Sequence, residues 1–202
     1  VLKQRNELLK HTALEPDLLD AWDEQLVRYG RVIARSRRAF VDELRAAAAP
    51  AYQTIAESED LAIAFAPDIP PDKDHLAALR ETRERDRRYG LTHRGPHRDD
   101  FDLVISGKAA RQFASQGQQR TAALALKLAE LRLVRQRIAE YPILMLDDVL
   151  SELDPKRSRR LFQTIPEEVQ CLLTATHLSP DAVPAGVTCS FYRITKGQLA
   201  QA

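Results

Sequence analysis

Four consecutive residues, Ser115-Gln116-Gly117-Gln118, and two acids, Asp147-Asp148, are the parts of this sequence best suited to phosphate chemistry. The first set opens an apolar helical pattern in which Leu124, Leu128, Leu131 and Ile138 fall close to one face. Ser115 is a good N-cap, and Gln118 three residues on completes a capping box. Capping alone leaves Gly117 unexplained, because Gly within a helix costs about 1 kcal/mol relative to Ala. A phosphate approaching the exposed amides would use the missing side chain, since a helix N-terminus carries positive partial charge. Arg120 can add a cation nearby or simply be solvated.

The acid pair ends the apolar run Ile143-Leu144-Met145-Leu146, which suits a strand buried on both faces of a mainly parallel sheet. The carboxyl ends of such strands open onto the crevice where open α/β sheets bind ligands. At that position one acid can support a magnesium ion that neutralises phosphate charge, and a second can orient or deprotonate an attacking water. The competing reading is plainer: two aspartates that end a strand and solvate a turn.

The elements that must hold these residues are legible around them. Trp22, Leu26, Tyr29, Ile33, Phe40 and Leu44 recur at helical spacing from Asp17 to about Ala49, a helix about 45 Å long at 1.5 Å per residue. A helix from Leu2 to Lys10 precedes it, and Pro50 starts another that runs to about Glu57. Strands are expected at Leu61 to Phe65, Phe101 to Ile105, 169 to 174 and 188 to 194, with a helix from about Pro155 to Thr164. A polar helix from about Asp72 to Tyr89 carries Arg80, Arg83, Arg85, Arg87 and Arg88 among Glu81, Glu84 and Asp86. It reads either as a solvated helix laced with short-range ion pairs or as a phosphate-backbone contact through Arg83, Arg87, Arg88 and Arg94. With no aromatics interleaved for stacking, duplex DNA fits that face better than a single strand. Gly95-Pro96-His97-Arg98-Asp99-Asp100 is a loop with a structural or coupling role, and His93 and His97 lack partners at zinc-ligand spacing.

Taken in order, these motifs resemble the second half of an ABC-type ATPase head. Ser115 to Gln118 is similar to the signature, with Gln116 where many members have glycine; Leu144 to Asp148 resembles the Walker B strand, with Asp148 in place of the more usual glutamate. Ser151-Glu152-Leu153-Asp154 resembles the D-loop, and Thr176-His177 the switch loop. Gln116, the double aspartate, the 95–100 loop and the run Ser-Gln-Gly-Gln-Gln-Arg narrow the resemblance to the RecF family of bacterial recombination-repair proteins. The resemblance implies an α/β fold: the C-terminal part of the head (95–202), with a mainly parallel sheet and flanking helices, and a helical arm subdomain (1–94). It implies that Ser115, Gln116, Gly117, Gln118, Ser151 and Asp154 meet ATP held by a second protomer. Asp147 would hold Mg2+, and Asp148 and His177 would be catalytic. Implied partners are a second copy in an ATP-dependent homodimer, double-stranded or gapped DNA, and the mediators RecO and RecR. The implied setting is cytoplasmic DNA replication, repair and the SOS response. Two alternatives stand beside it: another head of the superfamily with a long coiled-coil insertion, against which the short helical region lacks sustained heptads, and a non-catalytic DNA- or partner-binding module.

The remaining composition sets bounds on these readings. A chain of 202 residues with net charge +1 gives no overall steering toward nucleic acid, so a DNA site must come from local clustering. Cys171 and Cys189 sit in apolar strand-like runs without metal-ligand spacing, which predicts buried free thiols. No apolar run reaches membrane-spanning length, and no secretory leader pattern is present. Gly-x-x-x-x-Gly-Lys-Ser/Thr, whose amides and lysine grip nucleotide phosphates, occurs nowhere in these residues. Val1 lies inside a helical pattern with no cap, so a truncated product is expected.

Overall fold

The computed structural model describes residues 1–11, 16–176, 183 and 187–201, without the side chains of Pro16 and Glu152. Its frame is one helix, α2 (Pro16–Ala56), of 41 residues, or about 60 Å at 1.5 Å per residue. The expected break at Pro50 does not occur. Proline removes the hydrogen bond to the carbonyl four residues back, here Ala46. Both Pro50 and Ala46 are exposed, so water can serve the freed group.

Each end of α2 builds a separate interior. The second half contributes Val41, Leu44, Ala48, Tyr52 and Ile55 to a core shared with β1 (Leu61–Ala66), β2 (Asp100–Ile105), α4 (Ala110–Phe113), α5 (Gln116–Ile138), β4 (Leu144–Asp147) and α6 (Pro155–Thr164). Residues from both sides of position 94 contribute to this core. Buried positions on α5 include Thr121, Ala122, Leu124, Ala125, Leu128, Ala129, Leu131 and Leu133, more than one face of a helix. The small residues among them admit close neighbours on several sides. Ile138, expected on the buried face, lies 61% exposed in the last turn beyond the core.

The first half of α2 packs with α1 (Leu2–Leu9) and α3 (His75–Tyr89), burying Leu9, Leu19, Leu26 and Leu79 beside a polar cluster that includes Arg5, Asp23 and Asp86. Asp74 caps α3, accepting from the amides of Leu76 and Ala77, and Gly90 ends it with φ of 63°.

Among the described residues the strands form three small sheets. β1, β2 and β3 (Lys108–Ala109) are antiparallel, with Leu61 opposite Ile105 and Phe65 opposite Phe101. The parallel pairing expected of the acid-tipped strand is found between β4 and β5 (Cys171–Thr174), where Asp147 stands opposite Thr174. Met145 of β4 is 75% exposed, so this pair is covered on one face only, unlike the doubly buried strand expected. A terminal hairpin joins β6 (Tyr192–Thr195) to β7 (Gln198–Gln201). Lys196 and Gly197 both have positive φ there, as two-residue hairpin turns require. Cys171 is half-buried, and burial raises its thiol pKa, followed by the neighbouring Cys189. Cys189 itself is exposed, contrary to expectation, because the strand predicted from 188 begins only at Tyr192.

Candidate functional site

The acids sit where β4 ends, and parallel pairing places the end of β5 beside them. Thr174 Oγ1 donates a short hydrogen bond to Asp147 Oδ1. The Asp148 amide donates to both Thr174 O at 3.1 Å and Thr174 Oγ1 at 3.0 Å. Asp148 has φ of 51° and ψ of 23°, the left-handed region that aspartate tolerates better than most residues. This turn starts a short 3-10 segment, Val149–Glu152, from which Ser151 Oγ donates to Asp148 Oδ1 at 2.5 Å. Thr176 Oγ1 lies 3.4 Å from the same serine oxygen.

Two exposed carboxylates with three hydroxyls thus form an oxygen-rich, water-accessible cluster. Such a donor set fits magnesium, which keeps several waters and takes one or two carboxylates alongside substrate phosphates. The αL backbone of Asp148 turns it away from the strand line, and Ser151 fixes its carboxylate. Sequence reasoning missed Thr174, although an apolar strand ending in Thr, paired with the acid-tipped strand, was the available signal. His177 lies outside the described residues.

Ser115 to Gln118 occupy the start of α5 with the expected reciprocal cap: Gln118 N donates to Ser115 Oγ at 3.2 Å and Ser115 N to Gln118 Oε1 at 2.8 Å. Ser115 and Gln116 are exposed, while Gly117 and Gln118 are half-buried. The structure adds a packing reason for Gly117. A Cβ there would stand 3.0 Å from Arg157 Nη1, at the flexible end of a side chain rooted in α6. Arg157 also lies 3.5 Å from Asp154 Oδ2, so it ties the 115–118 cap to the 151–154 loop. Asp154 is engaged locally as the N-cap of α6, accepting from Lys156 N and Arg157 N at 3.0 Å each. The structure therefore gathers Asp147, Asp148 and Ser151 in one cluster and joins Gly117 to Asp154 through Arg157. Nothing in the spacing of the sequence marked Arg157.

No protein-family model matches the chain. Over 184 residues it is 40% identical to the DNA replication and repair protein RecF of Lachnospira eligens, covering 88% of this chain and 50% of that protein. It is 41% identical over 191 residues to the protein of the same name from a Cyanothece species, covering 88% and 51% respectively. A solved structure of the recombination mediator protein RecF with ATP, in the RecFOR pathway, superposes with a TM-score of 0.78 at 30% identity, covering all of this chain and 55% of that one. The ATPrS form of that mediator gives 0.76 at 32%.

The chain belongs to the RecF family. It spans about half the length of the curated relatives it matches.

In this RecF-family chain the arginines singled out for DNA differ in their engagement. Burial opposes the Arg83 cation, but hydrogen bonds to Asp20 and Asp23 outweigh it and raise its pKa. Its Nη2 lies 2.6 Å from Asp23 Oδ2, and Asp20 is a second partner. Arg94 is held by Asp68, through an ion pair at 3.2 Å and a 3.0 Å hydrogen bond to the backbone carbonyl. Arg87 and Arg88 remain exposed in the last turn of α3.

The 95–100 loop is bound to α2, to Asp68 and to Thr92. Gly95 N donates to Asp68 Oδ2 at 2.8 Å, His97 Nε2 faces Thr92 O at 2.9 Å, and Arg37 reaches both Pro96 O and Asp99. Pro96 packs on α2 at Gly30, where a Cβ would lie 3.3 Å from its ring. Gly95 adopts φ of 125° and ψ of −174°, a region essentially reserved for glycine. Gly95→Ala is therefore expected to lower stability by about 1–3 kcal/mol, read as a shifted urea midpoint with unchanged slope; an unshifted midpoint would contradict the strain argument.

Proposed function

We propose that this chain supplies the signature, acid-pair and D-loop portion of a composite ATP site in a RecF-like DNA-repair ATPase. The observation that carries the reading is the exposed Asp147-Asp148-Ser151 cluster at the carboxyl end of a parallel strand, in a chain with RecF relatives. In this reading Asp147 supports Mg2+ and Asp148 orients the attacking water, with Ser151 holding its carboxylate. Magnesium, when bound, supplies charge neutralisation on the phosphates. Ser115, Gln116, Gly117 and Gln118 present the amide end of α5 to the γ-phosphate held by a second protomer, and Ser151 and Asp154 face the junction between the two. His177, in the switch position, would sense that phosphate. Two protomers close on nucleotide to clamp double-stranded or gapped DNA, and hydrolysis opens the clamp. RecO and RecR are the partners with which such a clamp would help load the recombinase at gaps, in the bacterial cytoplasm. Among the described residues no helix is long and apolar enough to cross a membrane.

Action in trans makes a specific demand. In the complete protein, a Ser115→Arg variant and a variant lacking the P-loop lysine should each have negligible ATP turnover, and a mixture of the two should regain part of it. A mixture that stays as inactive as its components would defeat the composite-site reading.

A further inference from the structure

Between its two cores α2 runs through solvent: residues 31 to 40 are exposed except for half-buried Ala34. Arg28, Arg31, Arg35 and Arg38 follow one another at intervals of three, four and three residues along this span. At about 100° per residue that spacing puts all four on one arc of the helix, in a line about 15 Å long. No acid occurs between Glu24 and Asp42, and Asp42 is already paired with Arg45 at 2.9 Å. Arg37 points elsewhere, to Pro96 and Asp99. Among the described residues, no hydrogen bond or ion pair engages Arg31 or Arg35. Like charges at i,i+3 and i,i+4 weaken a helix by a few tenths of a kcal/mol each. Arg28 and Arg38 rest over the rings of Tyr29 and Phe65, 5.8 and 5.6 Å from their centroids, but among the described residues no carboxylate offsets the repulsion, in a molecule whose net charge is only +1.

The geometry points to the stripe of Arg28, Arg31, Arg35 and Arg38 as a contact for the phosphate backbone of duplex DNA. The inference rests on the DNA-binding reading above and gives it a location different from the arginines of α3. A straight row of guanidiniums without carboxylate partners among the described residues suits consecutive phosphates, which carry affinity without reading sequence. A protein partner fits less well, because interfaces need an apolar centre and the arc contains none. The exposed rings nearby are already engaged, Tyr29 under Arg28 and Phe40, on another arc of α2, under Arg137, so the bases of a single strand find no free aromatic face beside the stripe.

The test uses the complete protein and fluorescence anisotropy of a labelled duplex across a salt series. Arg31→Gln combined with Arg35→Gln should make the slope of log K against log[salt] shallower by about 1.8 and weaken binding about 30-fold at physiological salt, the loss expected for two phosphate contacts. Arg31→Lys with Arg35→Lys should retain the slope, and either single Gln variant should show about half the change, which guards against a folding defect in the double variant. Wild-type binding with an unchanged slope in the Gln variants overturns the stripe alone. Failure of the wild type to bind duplex overturns the DNA reading with it. Competition by polyglutamate as effective as by unlabelled duplex would assign the stripe to an acidic protein instead.

Discussion

Arg5→Ala is expected to destabilise the protein by about 3–5 kcal/mol, the cost of leaving buried charge without its partner. Arg5, Asp23 and Asp86 are all fully buried. Arg5 Nε donates to Asp23 Oδ1 at 2.5 Å, and Nη1 donates to Asp86 Oδ2 at 2.8 Å and Thr92 Oγ1 at 2.7 Å. One guanidinium thus joins α1, α2, α3 and the start of the 91–98 loop. The two acids would not suffer equally. Asp23 keeps Arg83, whereas Asp86 would keep only the backbone amide and ring of His93, at 3.0 and 2.8 Å. The double variant Arg5→Ala with Asp86→Ala should therefore lose less than the sum of the single losses, by an interaction energy of about 0.5–3 kcal/mol. Urea unfolding of the four proteins measures this. A loss below about 1 kcal/mol in Arg5→Ala would show that water enters the site and relieves the acids. Acid should loosen the neighbouring α2–α3 contact. A hydrogen bond from Arg83 holds the Asp20 carboxyl below its usual range, so its contribution is complete above the unfolded pKa and is lost as pH falls through the lower folded value.

Reading these elements from sequence worked where the signal was local. The capping box at Ser115 and Gln118 is determined within four residues, and the structure shows both of its hydrogen bonds. The α6 start at Asp154-Pro155 and the end of α3 at Gly90 follow from residue types that favour those positions. What could not be read depends on distant pairing. Arg5 and Asp86 are 81 positions apart, and α3 looks like a solvated, charge-laced helix until α2 supplies Asp20 and Asp23 as partners for its arginines. The same packing leaves most of the 31–40 stretch of α2 exposed, although its periodic apolar residues read as one buried stripe: Tyr29, Ile33 and Phe40 are each more than 40% exposed. Helical periodicity identifies a face, but it does not say whether another element arrives to cover it. At the site, the acids were legible by type and position. The threonine hydroxyls were not, because the register that sets Thr174 against Asp147 belongs to the β4–β5 pairing rather than to either strand.

That register bears on the other large expected effect. In the complete protein, Asp148→Asn should lower ATP turnover by about 10²–10⁴-fold, the usual contribution of a positioned general base, while leaving nucleotide affinity within a few fold. The amide suits this test because it retains the local structure. Asparagine tolerates the left-handed backbone at 148 about as well as aspartate, and its Oδ1 can still accept from Ser151. Only the charge and the proton-accepting capacity are removed. Asp148→Ala would be less informative, since it adds backbone strain at φ of 51° and leaves Ser151 without its acceptor. Asp147→Asn should separate from it in kind, weakening Mg2+ dependence as well as turnover, because the proposed role of Asp147 is to support the cation. Single-turnover measurements over a magnesium series distinguish the two. If Asp148→Asn turned over at the wild-type rate, the acid after the strand would be a turn residue held by Ser151, and the water-orienting group would have to come from another segment.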